Sequence, residues 1–194
     1  FLKFLILIFI VNSIAKADNI KDFEIEGMSI GDSLLNFYSI EEIKNELDSY
    51  SQPYKNNEYL VLVFESKKNN TSEFDGFRFH VKSNDENYII EMIGAYQLIN
   101  FENCKEKKII ISNEIENIFG SETRKDYKIK NHAYDKSGNS KTISTYFILE
   151  NGRTRIICTD WSKELTERNN WKDKITIGIY SNDFVEWLQN KAYK

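Results

Sequence analysis

Residues 141–161 read KTISTYFILENGRTRIICTDW. Two runs of β-branched and aromatic residues flank Asn151-Gly152, the kind of dipeptide that supplies positive φ to the two-residue type I′ turn of a β-hairpin. With those two residues as the loop, Glu150 faces Arg153, Phe147 faces Ile156 and Thr145 faces Cys158. One side of the hairpin then carries Ile143, Thr145, Phe147, Leu149, Ile156 and Cys158, and this is the core side. The other side carries Ser144, Tyr146, Glu150, Arg153, Arg155 and Thr159, with Ile148 and Ile157 among them, and is mostly polar or only partly covered.

Working outward from the hairpin, the same two periodicities assign the other elements. Ser39 and Glu42 have the spacing of a capping box, which opens a helix over residues 40–48 with Ile40, Ile43 and Leu47 on one stripe. A shorter helical turn at 33–37 precedes it. Tyr59–Glu65 is apolar on both faces and reads as a central strand, while Gly76–Lys82 alternates Phe77, Phe79 and Val81 against Arg78, His80 and Lys82. A third strand is expected over 88–96. In the second half, Phe101–Phe119 places Cys104, Ile111, Ile115, Ile118 and Phe119 on a helical stripe, widened by Ile109 and Ile110, with Gly120 where a helix-ending glycine belongs. Strands follow at 127–134, in the two hairpin arms and at Lys174–Ser181. A last helix is expected over 183–191, with Asp183 and Glu186 as its capping pair and Phe184, Trp187 and Leu188 inside. The expected fold class is α+β, an antiparallel sheet or two related sheets of meander strands covered by helices. The helix-then-strands order occurs twice, which suggests related halves at 25–99 and 100–194.

The opening FLKFLILIFIVNSIAKA has the parts of a secretory signal: Lys3, an apolar run over 4–11, and an A-x-A site at residues 15–17. A membrane anchor needs about 20 apolar residues, and Asn12, Ser13 and Lys16 interrupt the run, so the expectation is a cleaved signal peptide at 1–17 and a single domain at 18–194. Cleavage would remove Lys3 and Lys16, leaving 24 cations against 30 acids and a net charge of −6. An acidic exported domain is a poor partner for nucleic acid, whose phosphates attract a basic surface. The expected location is the periplasm or the medium, with no stable membrane span after cleavage. Cys104 and Cys158 are the only cysteines. One lies on the apolar stripe of a helix and the other on the apolar side of the hairpin, so in an oxidising compartment they are expected to form a disulfide.

Several short motifs point to chemistry. Residues 27–31, GMSIG, fit the G-x-S-x-G nucleophile elbow, which has meaning only between a strand and a helix of a parallel sheet; the strands here run in consecutive meanders. Gly31-Asp32-Ser33-Leu34 resembles the first block of GDSL-type serine esterases, in which Ser33 would be the nucleophile. That family's D-x-x-H and G-x-N-D blocks are absent, and a serine without a base is a weak nucleophile. His80 and His132, the only histidines, have no metal-site spacing and read as solvent-facing strand residues. The run DKSGNS at 135–140 lacks the glycine position and closing Glu of a calcium loop and reads as a turn. No catalytic residue, metal site or cofactor is expected.

The segments IEGMSIGDSLLNFYSIEEI, NCKEKK, YDKSGNSK, CTDWSKE and NDFVEWLQNKAYK resemble a group of small exported proteins from marine bacteria with AT-rich genomes, a resemblance that implies no activity. Gly27-Met28-Ser29 before a short helix is similar to the repeat of the small β-barrel assembly lipoprotein and its relatives, which implies helices packed on an antiparallel sheet. The functional expectation is an exported binding or interaction module for an envelope protein or a small ligand. The alternative is a small serine hydrolase using Ser33 or Ser29. The binding residues expected are Trp161, Arg168 and Trp171, because residues 160–173 form the longest connection of the second half, and aromatic residues with Arg are the usual anchors of interfaces.

Overall fold

The structure, a computed structural model, describes residues 19–49, 52–66 and 72–194. The expected signal peptide at 1–17 lies outside the described residues. Seven strands form one sheet: β1 (Tyr59–Glu65), β2 (Gly76–Lys82), β3 (Ile90–Leu98), β4 (Arg124–Asn131), β5 (Lys141–Leu149), β6 (Gly152–Asp160) and β7 (Lys174–Ser181). Their order is β1-β2-β3-β7-β6-β5-β4 and every neighbouring pair is antiparallel. Two meanders, each running consecutively in the chain, thus join along their last strands, β3 and β7, and of the two expected arrangements the single sheet is the one formed. The helices are α1 (Ile40–Ser49), α2 (Phe101–Phe119), α3 (Lys163–Asn169) and α4 (Asn182–Asn190), giving an α+β fold.

One face of the sheet holds the main core. Leu62, Phe79, Ile93, Ile179 and Phe147 line up across it under Ile43 of α1 and Ile115 and Phe119 of α2, all of them buried. The side chains of α2 that go inside are Cys104, Lys108, Ser112, Ile115 and Phe119, a stripe one residue wide at helical spacing. Ile109 and Ile110 do not widen it; they are 55% and 43% exposed. Lys108 instead reaches over the sheet edge to Asp126 at 3.7 Å, and Arg124 bridges Glu116 and Asp126. Cys104 and Cys158 form a disulfide, with Cα atoms 5.8 Å apart, that ties the first turn of α2 to β6.

The central hairpin keeps its expected faces but not its expected register. Leu149 pairs with Gly152, Thr145 with Ile156 and Ile143 with Cys158, so the loop is Glu150-Asn151 and each partner moves by two residues. A shift of two leaves every side chain on the same face. Neither Asn151 nor Gly152 has positive φ, so the turn is not the type I′ expected. The two residues serve the N-terminal segment instead. The Asn151 carboxamide accepts from the Ile20 amide at 3.0 Å, and a Cβ on Gly152 would lie 2.6 Å from the Tyr180 carbonyl and 2.7 Å from Ile20 Cγ2.

Three other boundaries differ for local reasons. β3 starts at Ile90 because the Asp85 carboxylate holds the amides of Asn87 and Ile89 in the preceding turn. β4 starts at Arg124, directly after a 3-10 turn at Ser121–Thr123, and ends before His132. α4 is capped by Ser181, whose hydroxyl accepts from the Phe184 amide at 3.1 Å and donates to Glu91; the expected capping pair, Asp183 and Glu186, lies inside the helix. Phe184, Val185 and Trp187 of α4 pack with Tyr59, Met92 and Tyr180 on the second face of the sheet, over the β1, β2, β3 and β7 end. His80 lies under this helix at 3% exposure, not toward solvent as expected, because both faces of the sheet are covered there.

Candidate functional site

The short motifs are bound up in structure. Ser29 is buried and donates to the carbonyls of Lys21 and Phe23; Gly27 and Gly31 take positive φ in the turns on either side of it. Ser33 caps a 3-10 turn at Leu34–Asn36, and its hydroxyl donates to the Asn87 carbonyl at 2.6 Å. The two imidazoles are engaged elsewhere. His80 meets the Tyr54 hydroxyl at 2.9 Å and the Met92 sulfur at 3.2 Å, and His132 Nδ1 accepts from the Tyr134 amide at 3.2 Å. Asp135 is held well below the usual carboxylate range by the hydroxyls of Ser140 and Ser137, which makes residues 135–140 a self-contained turn.

The second face of the sheet is different where α4 ends. Strand alternation places Arg153, Arg155, Ile157 and Thr159 of β6 on it, and Lys174, Thr176, Gly178 and Tyr180 of β7 beside them. One row of paired residues crosses the whole sheet: Val63, Arg78, Gly94, Gly178, Arg155, Tyr146 and Lys125. The next row runs Glu65, Gly76, Tyr96, Thr176, Ile157, Ser144 and Tyr127, and a last partial row holds Leu98, Lys174, Thr159, Thr142 and Lys130. Arg78, Arg155, Lys125, Lys174 and Lys130 lie in these rows, whereas Glu65 on the far edge is their one acid. A chain with net charge −4 therefore carries a basic face.

The cations on this face are held by rings rather than by carboxylates. Arg155 lies 5.5 Å from the centre of the Tyr180 ring and 5.9 Å from that of Tyr146, and Lys174 lies 5.3 Å from that of Tyr96. Such contacts favour the charged form and fix its position. Tyr180 can lie down on the sheet because its neighbour is glycine: a Cβ on Gly178 would be 2.6 Å from the Tyr180 hydroxyl. Among the described residues no carboxylate pairs with Arg153, Arg155 or Lys174. The Nε atoms of Arg153 and Arg155 are buried with no hydrogen-bond partner, and burial together with the Arg78 charge pushes the Lys174 ammonium below its usual pKa. A guanidinium or ammonium charge that no carboxylate neutralises, in a partly desolvated site, is a place where an anion is stabilised.

An aromatic cluster closes the end of this face opposite α4. The ring of Trp161 lies 4.3 Å from His132 and 4.5 Å from Trp171, and Tyr134 lies 5.0 Å from Trp171. Trp161 is fixed by its own amide, which donates to Asp173 at 2.8 Å, and it lines a cleft of about 440 Å³ with Leu98, Asn100, Thr166 and Lys172 among others. The His132 pKa is lowered, first by burial, with Arg155, Lys174 and Lys130 also lowering it and Asp135 opposing them; the cluster thus stands in the field of the basic rows. The structure brings the expected binding residues Trp161 and Trp171 together. Arg168 is not joined to them: it projects from α3, where it pairs with Glu164 at 3.5 Å. The connection that holds them is not a plain loop, since Ser162 caps α3 by accepting from Leu165.

Arg153, Arg155, Lys174, Tyr146 and Tyr180 went unassigned in the sequence, although the polar side of the hairpin already carried the two arginines. The missing signal was non-local, for only the pairing of β6 with β7 sets Lys174 and Tyr180 beside them. No family model, no curated protein and no solved structure matches the chain.

Proposed function

We propose that the protein is an exported binding module, periplasmic or secreted, whose ligand-binding surface is the second face of the sheet beyond α4 and whose ligand is an anion. One observation carries this reading: Arg153, Arg155 and Lys174 lie on one face with no carboxylate partner among the described residues. The disulfide between Cys104 and Cys158 and the signal-like residues 1–17 support export, and among the described residues no helix is long and apolar enough to cross a membrane.

The test uses the mismatch between whole charge and local charge. At pH 7 a protein of pI near 5.4 is repelled as a whole by a sulfated matrix such as dextran sulfate, whereas an oriented basic face is still attracted at short range. The mature protein should be retarded on that matrix at low salt and released by added salt, and the Arg153→Gln, Arg155→Gln double variant should pass through. Passage of the unaltered protein without delay would remove the proposal.

A further inference from the structure

The arrangement of charge and rings says more about the ligand. From Arg153 along β6 to Trp161 is a run of about 26 Å at strand spacing. Arg155 and Lys174 are separated along it by about 13 Å, the length of four strand residues. Arg153 and Lys174 lie farther apart, about 20 Å or six strand residues, more than two flexible side chains can close onto one phosphate or sulfate, so an occupant that uses them all is a chain with several negative groups. Guanidinium forks match the planar geometry of carboxylates and the oxygens of sulfates.

The far end of the run selects among such chains. Trp161, Trp171 and Tyr134 meet at angles of 49° and 57° between their planes, a tilted wall with no parallel slot in which a flat base could be sandwiched. Tyr134 is 58% exposed and both indoles are partly exposed. Tilted indole and phenol faces of this kind suit the puckered apolar faces of sugar rings. Nucleic acid is disfavoured by the net negative charge, since its binding is dominated by long-range phosphate attraction. An acidic peptide finds no backbone to pair with on the face, because the groups of β3, β7 and β6 are used in their own ladders.

We infer that the ligand is an acidic oligosaccharide, a chain of sugar rings bearing carboxylates or sulfates, with its anionic groups on Arg153, Arg155 and Lys174 and a sugar ring against Trp161, Trp171 and Tyr134. This rests on the anion-binding reading above. It is tested by calorimetric titration of the mature protein with oligogalacturonate, its methyl ester, an oligonucleotide and polyglutamate of equal charge, repeated with Arg155→Gln and Trp171→Ala. Oligogalacturonate should bind, and its methyl ester should bind at least tenfold more weakly. Arg155→Gln should weaken both oligogalacturonate and polyglutamate by tenfold or more. Trp171→Ala should weaken oligogalacturonate about fivefold or more and leave polyglutamate unchanged. If Trp171→Ala lowers the melting temperature substantially, Tyr134→Ala, at the exposed edge of the wall, takes its place with the same expectation. Binding that depends on Arg155 but not on the aromatic wall, or equal binding of the oligonucleotide or polyglutamate, would overturn the sugar inference and leave the anion face standing. Failure of all four ligands to bind would overturn both.

Discussion

His80 shows how a residue on the expected strand can have an unexpected chemistry. Its ring is enclosed by Tyr54, Met92 and Phe184, and burial, with a smaller contribution from the Arg78 charge, lowers its pKa from 6.5 to about 3. The unfolded chain therefore takes up the proton first as pH falls. The stability contributed by the neutral ring is fully present above about pH 6.5 and is lost as pH falls toward 3, by up to about 1.4 kcal/mol per pH unit. Urea unfolding at pH 7 and pH 5 should show a loss of about 2 kcal/mol in the unaltered protein and a much smaller loss in His80→Gln. His132 shifts in the same direction but is common to both proteins. Equal losses would mean that His80 is not held neutral. The alternation of Gly76–Lys82 put His80 on the right face; what it could not carry was the later arrival of α4 over that face.

Among the elements, α2 was the most legible and its disulfide the most consequential. A helix spanning Phe101–Phe119 follows from its own apolar period and from Gly120, whose φ of 89° suits a residue without a side chain. The width of its buried stripe did not follow, because Lys108 satisfies its charge at Asp126 across the sheet edge and so takes an inside position that a purely apolar reading gives to isoleucine. The disulfide closes a separation of 54 residues, for which chain entropy predicts about 4 kcal/mol of stabilisation. The Cys104→Ala, Cys158→Ala double variant should lose a large part of that in urea unfolding without reductant, and dithiothreitol should then have no further effect on it. A loss below about 1 kcal/mol would show that Ile115, Phe119 and the Lys108–Asp126 pair hold α2 in place without it.

For the whole molecule, the exported reading predicts a mature chain that begins at Asp18. The intact mass of protein recovered from the periplasm or medium of cells expressing the complete coding sequence should correspond to that start, and a mass that retains residues 4–11 would argue for an anchored form. The seven strands, the helices other than α3, the two faces of each hairpin arm and the cysteine pair were legible in the sequence alone, because alternation, helical period and capping are local signals that act over a few residues; α3 (Lys163–Asn169) lay in a stretch read as a connection. The candidate face was only half legible by the same rule: the hairpin showed Arg153 and Arg155 on a polar side, and Trp161 and Trp171 stood out in the following connection. Two features were decided only by the tertiary structure. The joining of β3 to β7, with Gly94 opposite Gly178, unites meanders far apart in the chain and brings Tyr96 to the face on which the pairing of β6 with β7 sets Lys174 and Tyr180 beside the arginines. The placement of α4 covers the His80 end of the second face, and the half-buried Arg155 lies beyond it. Both depend on which distant segments bury one another, and that is a property of the assembled core rather than of any stretch of the chain.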